Sequence, residues 1–125
     1  MRNKNDDTLE CLLELDGTKF VIDEQLGLWV KFAVSQVPRS KDRQHGIKYS
    51  LSLHNQYNKR IIGFDNAHAI EYGKKRGVAG KRTFDHWHRD HTDQGRPYKY
   101  VNAAKLLEDF WNEVNLWLER LKKSK

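Results

Sequence analysis

The sequence predicts an α+β fold, an antiparallel β-sheet of about five or six strands packed on one face by a long C-terminal helix. Leu28, Val30, Phe32 and Val34 take every second position of one segment, and apolar and polar residues alternate over Ile47–Leu53, which is the period of half-buried strands. In the last quarter of the chain the apolar spacing lengthens to that of an amphipathic helix. Strands first and one long helix last is the order of an α+β protein rather than of an alternating βαβ one. A chain of 125 residues holds one core, so residues 1–125 form a single domain.

Residues 1–8 are polar and read as a frayed end. LECLLEL and TKFVIDE then flank Asp16-Gly17, a dipeptide that closes tight hairpins, which predicts a first hairpin there. The single cysteine, Cys11, lies in the first of these runs and reads as a small buried hydrophobe; an intrachain disulfide is excluded. In the next strand Leu28, Val30, Phe32 and Val34 alternate with Trp29, Lys31, Ala33 and Ser35, and the pattern stops before Pro38. After the loop PRSKDRQHG, Ile47, Tyr49, Leu51 and Leu53 take the core side. Lys48, Ser50, Ser52 and His54 therefore share the opposite face, which is left open for function. A turn through NQYNK leads into RIIGF, where Gly63 marks a bulge or the close approach of another segment. Residues 66–96 show no sustained period and read as a basic, histidine-rich loop region, with a turn of helix at NAHAIEY. Compact domains keep loops of that length mainly for function. Pro97 opens an edge strand through YKYV. The C-terminal helix spans residues 102–122, capped by Asn102. Its stripe is Ala103, Leu107, Phe110, Val114, Trp117 and Leu121, widened by Leu106, Trp111 and Leu118, with Lys122, Lys123 and Lys125 at the negative end of the dipole.

The net charge of +6 is unevenly placed: −4 over residues 1–30, +9 over 31–99 and +1 over 100–125. Such a positive field concentrates polyanions, which makes nucleic acid the leading partner. Lys48, Lys74, Lys75, Arg76, Lys81, Arg82 and Arg96 are the candidate phosphate contacts. Trp87, Tyr72, Tyr98 and Tyr100 are available either to stack bases or to pack the core. No window approaches the roughly 18 apolar residues of a membrane span, and the N-terminus lacks the apolar core of a signal peptide. No membrane contact and a cytoplasmic location are expected.

HWHRDH, residues 86–91, repeats letter for letter the H-x-H-x-D-H string of metallo-β-lactamase-like hydrolases, but the chain is too short for the layers of that fold. Three functions fit the cluster. In a metal-independent endoribonuclease, two imidazoles divide the labour: one takes the proton of a 2′-hydroxyl and the other protonates the leaving 5′-oxygen, with no cofactor. His86 and His88 are the candidates, with His68 a third imidazole. Arg82, Arg89, Arg96 and Lys48 would stabilise the phosphorane. Asp65, in GFDNAH, would hold an imidazole in one tautomer, and Asn66 would orient a phosphate or a base. In a metal-dependent phosphodiesterase, His86 and His88 project to one side of an extended segment, and His91 or Asp90 completes a first-row cation site. In a non-catalytic nucleic-acid-binding module, the same histidines are only polar contacts.

GFDNAH (63–68), DHWHRDH (85–91), PYKY (97–100) and LLEDFWNEV (106–114) together resemble the TumE-like toxins of prokaryotic toxin–antitoxin pairs, over roughly the second half of the chain. The resemblance implies a small cytoplasmic toxin that acts on RNA and is neutralised by a cognate helix-turn-helix antitoxin. The positions that match are Asp65, Asn66, His68, His86 and His88.

Overall fold

The computed structural model describes residues 8–41, 43–67, 70–72, 76–77, 80–90, 92 and 95–123, with the side chains of 70–72 and 81–82 left aside. The chain opens with α1 (Leu9–Glu14), followed by the strands β1 (Lys19–Asp23), β2 (Leu28–Gln36), β3 (Ile47–His54) and β4 (Arg60–Asp65). Next come β5 (Ile70–Tyr72), β6 (Lys81–Thr83), β7 (His86–His88), β8 (Arg96–Pro97) and finally α2 (Ala103–Lys123). Among the described residues, six strands form one antiparallel sheet in the order β1-β2-β3-β4-β7-β8, and β5 and β6 pair as a separate antiparallel ribbon. The predicted α+β architecture is what the chain adopts.

Register explains which side chains meet the helix. Leu28, Val30, Phe32, Val34, Ile47, Tyr49, Leu51 and Leu53 are all buried, joined by Ile62 and Phe64 of β4. Against them α2 buries Ala103, Leu106, Phe110 and Val114, so the centre of its stripe runs through Leu106, while Leu107 lies to one side and only partly buried. Phe110 contacts Phe32 and Phe64 edge to face, with centroids 5.7 and 6.1 Å apart. The helix is capped as expected: the Lys105 backbone N–H donates to the Asn102 carboxamide oxygen at 2.8 Å.

Six local readings are corrected. LECLLEL is a helix, because Leu9, Leu12 and Leu13 recur at helical spacing and only Leu12 is sealed in the core. Cys11 on its outer side is exposed. The first hairpin is instead β1–β2, turning at Gly27, which has φ 69° and where a Cβ would collide with Gln56. NAHAIEY contributes a strand, β5, in place of a turn of helix. Residues 66–96 hold β5, β6, β7 and the start of β8, since backbone pairing with β4 or within a ribbon satisfies their amides without an apolar period. Beyond Pro97 the YKYV segment leaves the sheet, and the edge strand is only Arg96–Pro97.

Candidate functional site

β4 and β7 create the site by pairing. Asp65 stands directly opposite His86, and Gly63 directly opposite His88. Alternation then puts Asp65, His86 and His88 on the face away from α2, beside Ser50 and Ser52 of β3, which pair with Asp65 and Gly63. This is the polar face that the period of β3 leaves uncovered by the helix.

The carboxylate is the hub. Asp65 Oδ1 lies 3.1 Å from His86 Nε2, and Asp65 Oδ2 lies 3.9 Å from His88 Nε2 and 3.5 Å from an Arg60 guanidinium nitrogen. The other nitrogen of His86, Nδ1, donates to the Phe84 carbonyl at 2.7 Å. Both nitrogens of His86 therefore face acceptors, an arrangement that only the doubly protonated imidazolium fills. Burial works against that charge, but the bonds to Asp65 and Phe84 and the Asp65 charge outweigh it and raise the imidazole above its ordinary value. Burial likewise opposes ionisation of Asp65, yet the bond from His86 and the charges of His86, His88 and Arg60 hold its carboxyl below the usual range.

Arg60 reaches this carboxylate by lying across Gly63. A Cβ at Gly63 would sit 3.2 Å from Arg60 Cδ and Nη1 and 3.3 Å from Cζ. The glycine that the sequence marks for close approach thus leaves room for a guanidinium.

Asp65, His86 and His88 are also the cluster that could hold a metal ion among the described residues, their donor atoms lying within 4.8 Å of one another. His91, the third ligand of the sequence reading, lies outside the described residues, and Asp90 accepts from Thr92 in a local turn. Against a cation stands Arg60, whose fixed positive charge already rests on Asp65.

The other candidates divide. Asn66 is fully buried and engaged with backbone: its Oδ1 accepts from the Tyr49 N–H at 2.9 Å and its Nδ2 donates to the Ile47 carbonyl at 2.8 Å, fastening the end of β4 to β3. Lys48 is exposed on the same sheet face as Asp65. Arg96 pairs with Trp87 and lies over its ring, so it belongs to the opposite face. Arg89 follows β7, and its carbonyl accepts from the Trp117 indole. Arg76 is exposed. His68, Lys74 and Lys75 lie outside the described residues, as do the side chains of Lys81, Arg82 and Tyr72. Trp87 and Tyr98 pack on Phe64, and the Tyr98 hydroxyl donates to Asp109 at 2.7 Å, so both serve the core.

Sequence reasoning missed Arg60 and a second imidazole–carboxylate pair. His45 Nε2 donates to Asp85 Oδ2 at 3.0 Å, the Tyr49 hydroxyl donates to the same oxygen at 2.7 Å, and His45 Nδ1 accepts from the Ile47 N–H at 3.3 Å. Those bonds fix His45 as the Nε2–H tautomer. Nearby, Arg43 donates to the Asn66 and Ala67 carbonyls and lies over Phe84, pinning the preceding loop beside the site. The one signal available for these residues was the density of polar types in RSKDRQH and the Asp85 that precedes His86.

The chain matches the family described as Toxin TumE over residues 12–118. No curated protein and no solved structure matches it.

Proposed function

The chain belongs to the TumE toxin family, and on that premise we propose that it is a metal-independent endoribonuclease toxin whose chemistry rests on Asp65, His86 and His88. Family membership makes it the toxin of a toxin–antitoxin system and implies an antitoxin partner. No helix among the described residues is long and apolar enough to cross a membrane. RNA as target and a helix-turn-helix antitoxin are part of the proposal.

The observation that carries the reading is the environment of His86. A side chain held as imidazolium by two acceptors is equipped to act as the general acid. Its Nε2 proton, which rests on Asp65 in the free protein, passes to the 5′-oxygen as the P–O bond breaks. His88, on the same face two residues on, takes the proton of the 2′-hydroxyl as that oxygen attacks phosphorus. The pentacoordinate phosphorane gathers negative charge, and Arg60, reaching over Gly63 to the Asp65 carboxylate, is placed to stabilise it. Asp65 aligns the acid and keeps it charged. The products are a 2′,3′-cyclic phosphate and a free 5′-hydroxyl.

The test is cleavage of cellular RNA by the purified protein in EDTA. Cyclic phosphate ends and losses of roughly 10²–10⁴ in rate for His86→Ala and for His88→Ala are expected. Activity that vanishes with chelator and returns with zinc or manganese would turn the same three residues into a cation site. RNA binding without cleavage, in the presence or absence of ribosomes, would leave a binding module.

A further inference from the structure

The polar sheet face continues past the site, across β3 and β2 to the edge strand β1, and its charges are of one sign. Lys19 and Lys31 are paired directly across β1 and β2. Trp29 and His54 are paired across β2 and β3 and stacked at 4.2 Å, with the Lys19 ammonium 5.5 Å from the centre of the Trp29 ring. Arg60 is paired with His54 and ends on Asp65. Lys19, Lys31 and Arg60 thus form a row running across the strands and finishing at the candidate catalytic carboxylate.

Two observations say that this row awaits an anion. Like charges directly opposite each other on neighbouring strands oppose pairing, and among the described residues neither Lys19 nor Lys31 has a carboxylate at ion-pair distance. Burial foremost, and then the charges of Lys31, Arg60 and Lys19, pull the His54 imidazole below its ordinary value, so three cations act on one point of the face. We propose that the face of β1–β3 turned away from α2 is a binding track for single-stranded RNA, on which Lys19, Lys31 and Arg60 contact phosphates along one strand and lead it to Asp65, His86 and His88. This rests on the ribonuclease reading above and adds where the substrate lies. Strands about 4.8 Å apart put β1 on the order of 14 Å from β4, the length of about four stacked nucleotides at a 3.4 Å rise. Trp29, clasped between neighbours and bonded through its indole N–H to the Asn55 carbonyl at 3.2 Å, fixes the platform on which Lys19 rests.

The experiment measures binding of a fluorescent single-stranded RNA of about ten nucleotides by the full chain over a salt series, comparing wild type with Lys19→Gln/Lys31→Gln. Every lysine that no longer neutralises a phosphate should lower the slope of log affinity against log salt by about 0.7, so the double variant should fall short of wild type by about 1.4. An unchanged midpoint in a denaturant melt shows that the variant is folded, so that the slope reports lost phosphate contacts. An unchanged slope in the double variant overturns the track and leaves the ribonuclease reading standing. A wild-type chain that binds no RNA overturns both. Loss of neutralisation by the antitoxin with an unchanged RNA slope assigns the face to an acidic protein partner and overturns the track as well.

Discussion

Asp65 and His86 face each other across two antiparallel strands, the carboxylate 3.1 Å from an imidazole whose far nitrogen is spent on a backbone carbonyl. One backbone pairing thereby positions the histidine and brings to it the carboxylate that favours its charged form. Because the partner of Nδ1 is the Phe84 carbonyl, which cannot donate, Nδ1 carries the proton of the neutral ring, and Asp65 favours a second proton on Nε2 against burial and the charge of Arg60.

Activity against pH should follow from that pair. His88 must be neutral and His86 charged, so the profile is bell-shaped, and the raised value of His86 carries its alkaline limb above the ordinary 6.5. In Asp65→Asn the carboxylate charge is gone, and the alkaline limb should move down. Steady-state rates from pH 5 to 9 measure this; an alkaline limb that does not move would show that His86 is not the acid.

Stability should carry the same signature, with opposite signs for the two partners. The contribution of His86, whose folded value is raised, is complete below 6.5 and fades as pH climbs through that raised value. The contribution of Asp65, whose folded value is lowered, is complete above 3.8 and fades as pH drops through that lowered value. The pair therefore stabilises most between 3.8 and 6.5. Denaturant melts should find Asp65→Asn less stable than wild type by about 1.5–3 kcal/mol in that window, with the gap narrowing on either side.

Asn66 separates structure from chemistry. Truncation to alanine strands the Tyr49 N–H and the Ile47 carbonyl, both buried, at about 1–3 kcal/mol for each unsatisfied group. Asn66→Ala should therefore melt earlier, while the protein that remains folded keeps the shape of its pH–rate profile. A shifted profile at unchanged stability would return Asn66 to the substrate.

The periods of β2, β3 and α2 were legible because each alternates between a sealed face and a wet one, and every one of the eight strand residues expected inside is buried. The stretch from Asn66 to Arg96 was not, since three-residue strands such as β5, β6 and β7 are too short to display a period. They are held by backbone pairing, which leaves no trace in composition. Asp65, His86 and His88 could be named from their residue types, but their convergence on one face depends on the β4–β7 register. Arg60 was hidden for a different reason: at the start of a strand its side chain lies along the strand over Gly63, which alternation does not describe.

Phe110 tests the layer beneath. It has no exposed surface and touches Phe32, Phe64 and Trp111. Phe110→Ala should cost about 3–5 kcal/mol in a denaturant melt. A loss below about 1 kcal/mol would mean that α2 does not seat on the sheet as described.

Gly63→Ala is the sharpest test of how the arginine is delivered. The new methyl group would meet atoms at the mobile end of Arg60, which can yield, so the sheet should keep its stability to within about 0.5 kcal/mol. What yields, however, is the approach of the guanidinium to Asp65. If Arg60 stabilises the phosphorane, its removal should cost on the order of 10²–10³ in kcat, as the loss of one preorganised donor does elsewhere, and Gly63→Ala should give part of that loss with KM for a dinucleotide little altered. The decisive measurement is a double-mutant cycle. Because Gly63 is a positioning residue that acts only through Arg60, adding Gly63→Ala to Arg60→Ala should change kcat no further. A second, additive loss would mean that the methyl group disturbs His88, which stands opposite Gly63 on β7, and the role of the glycine would then belong to the imidazole rather than to the guanidinium.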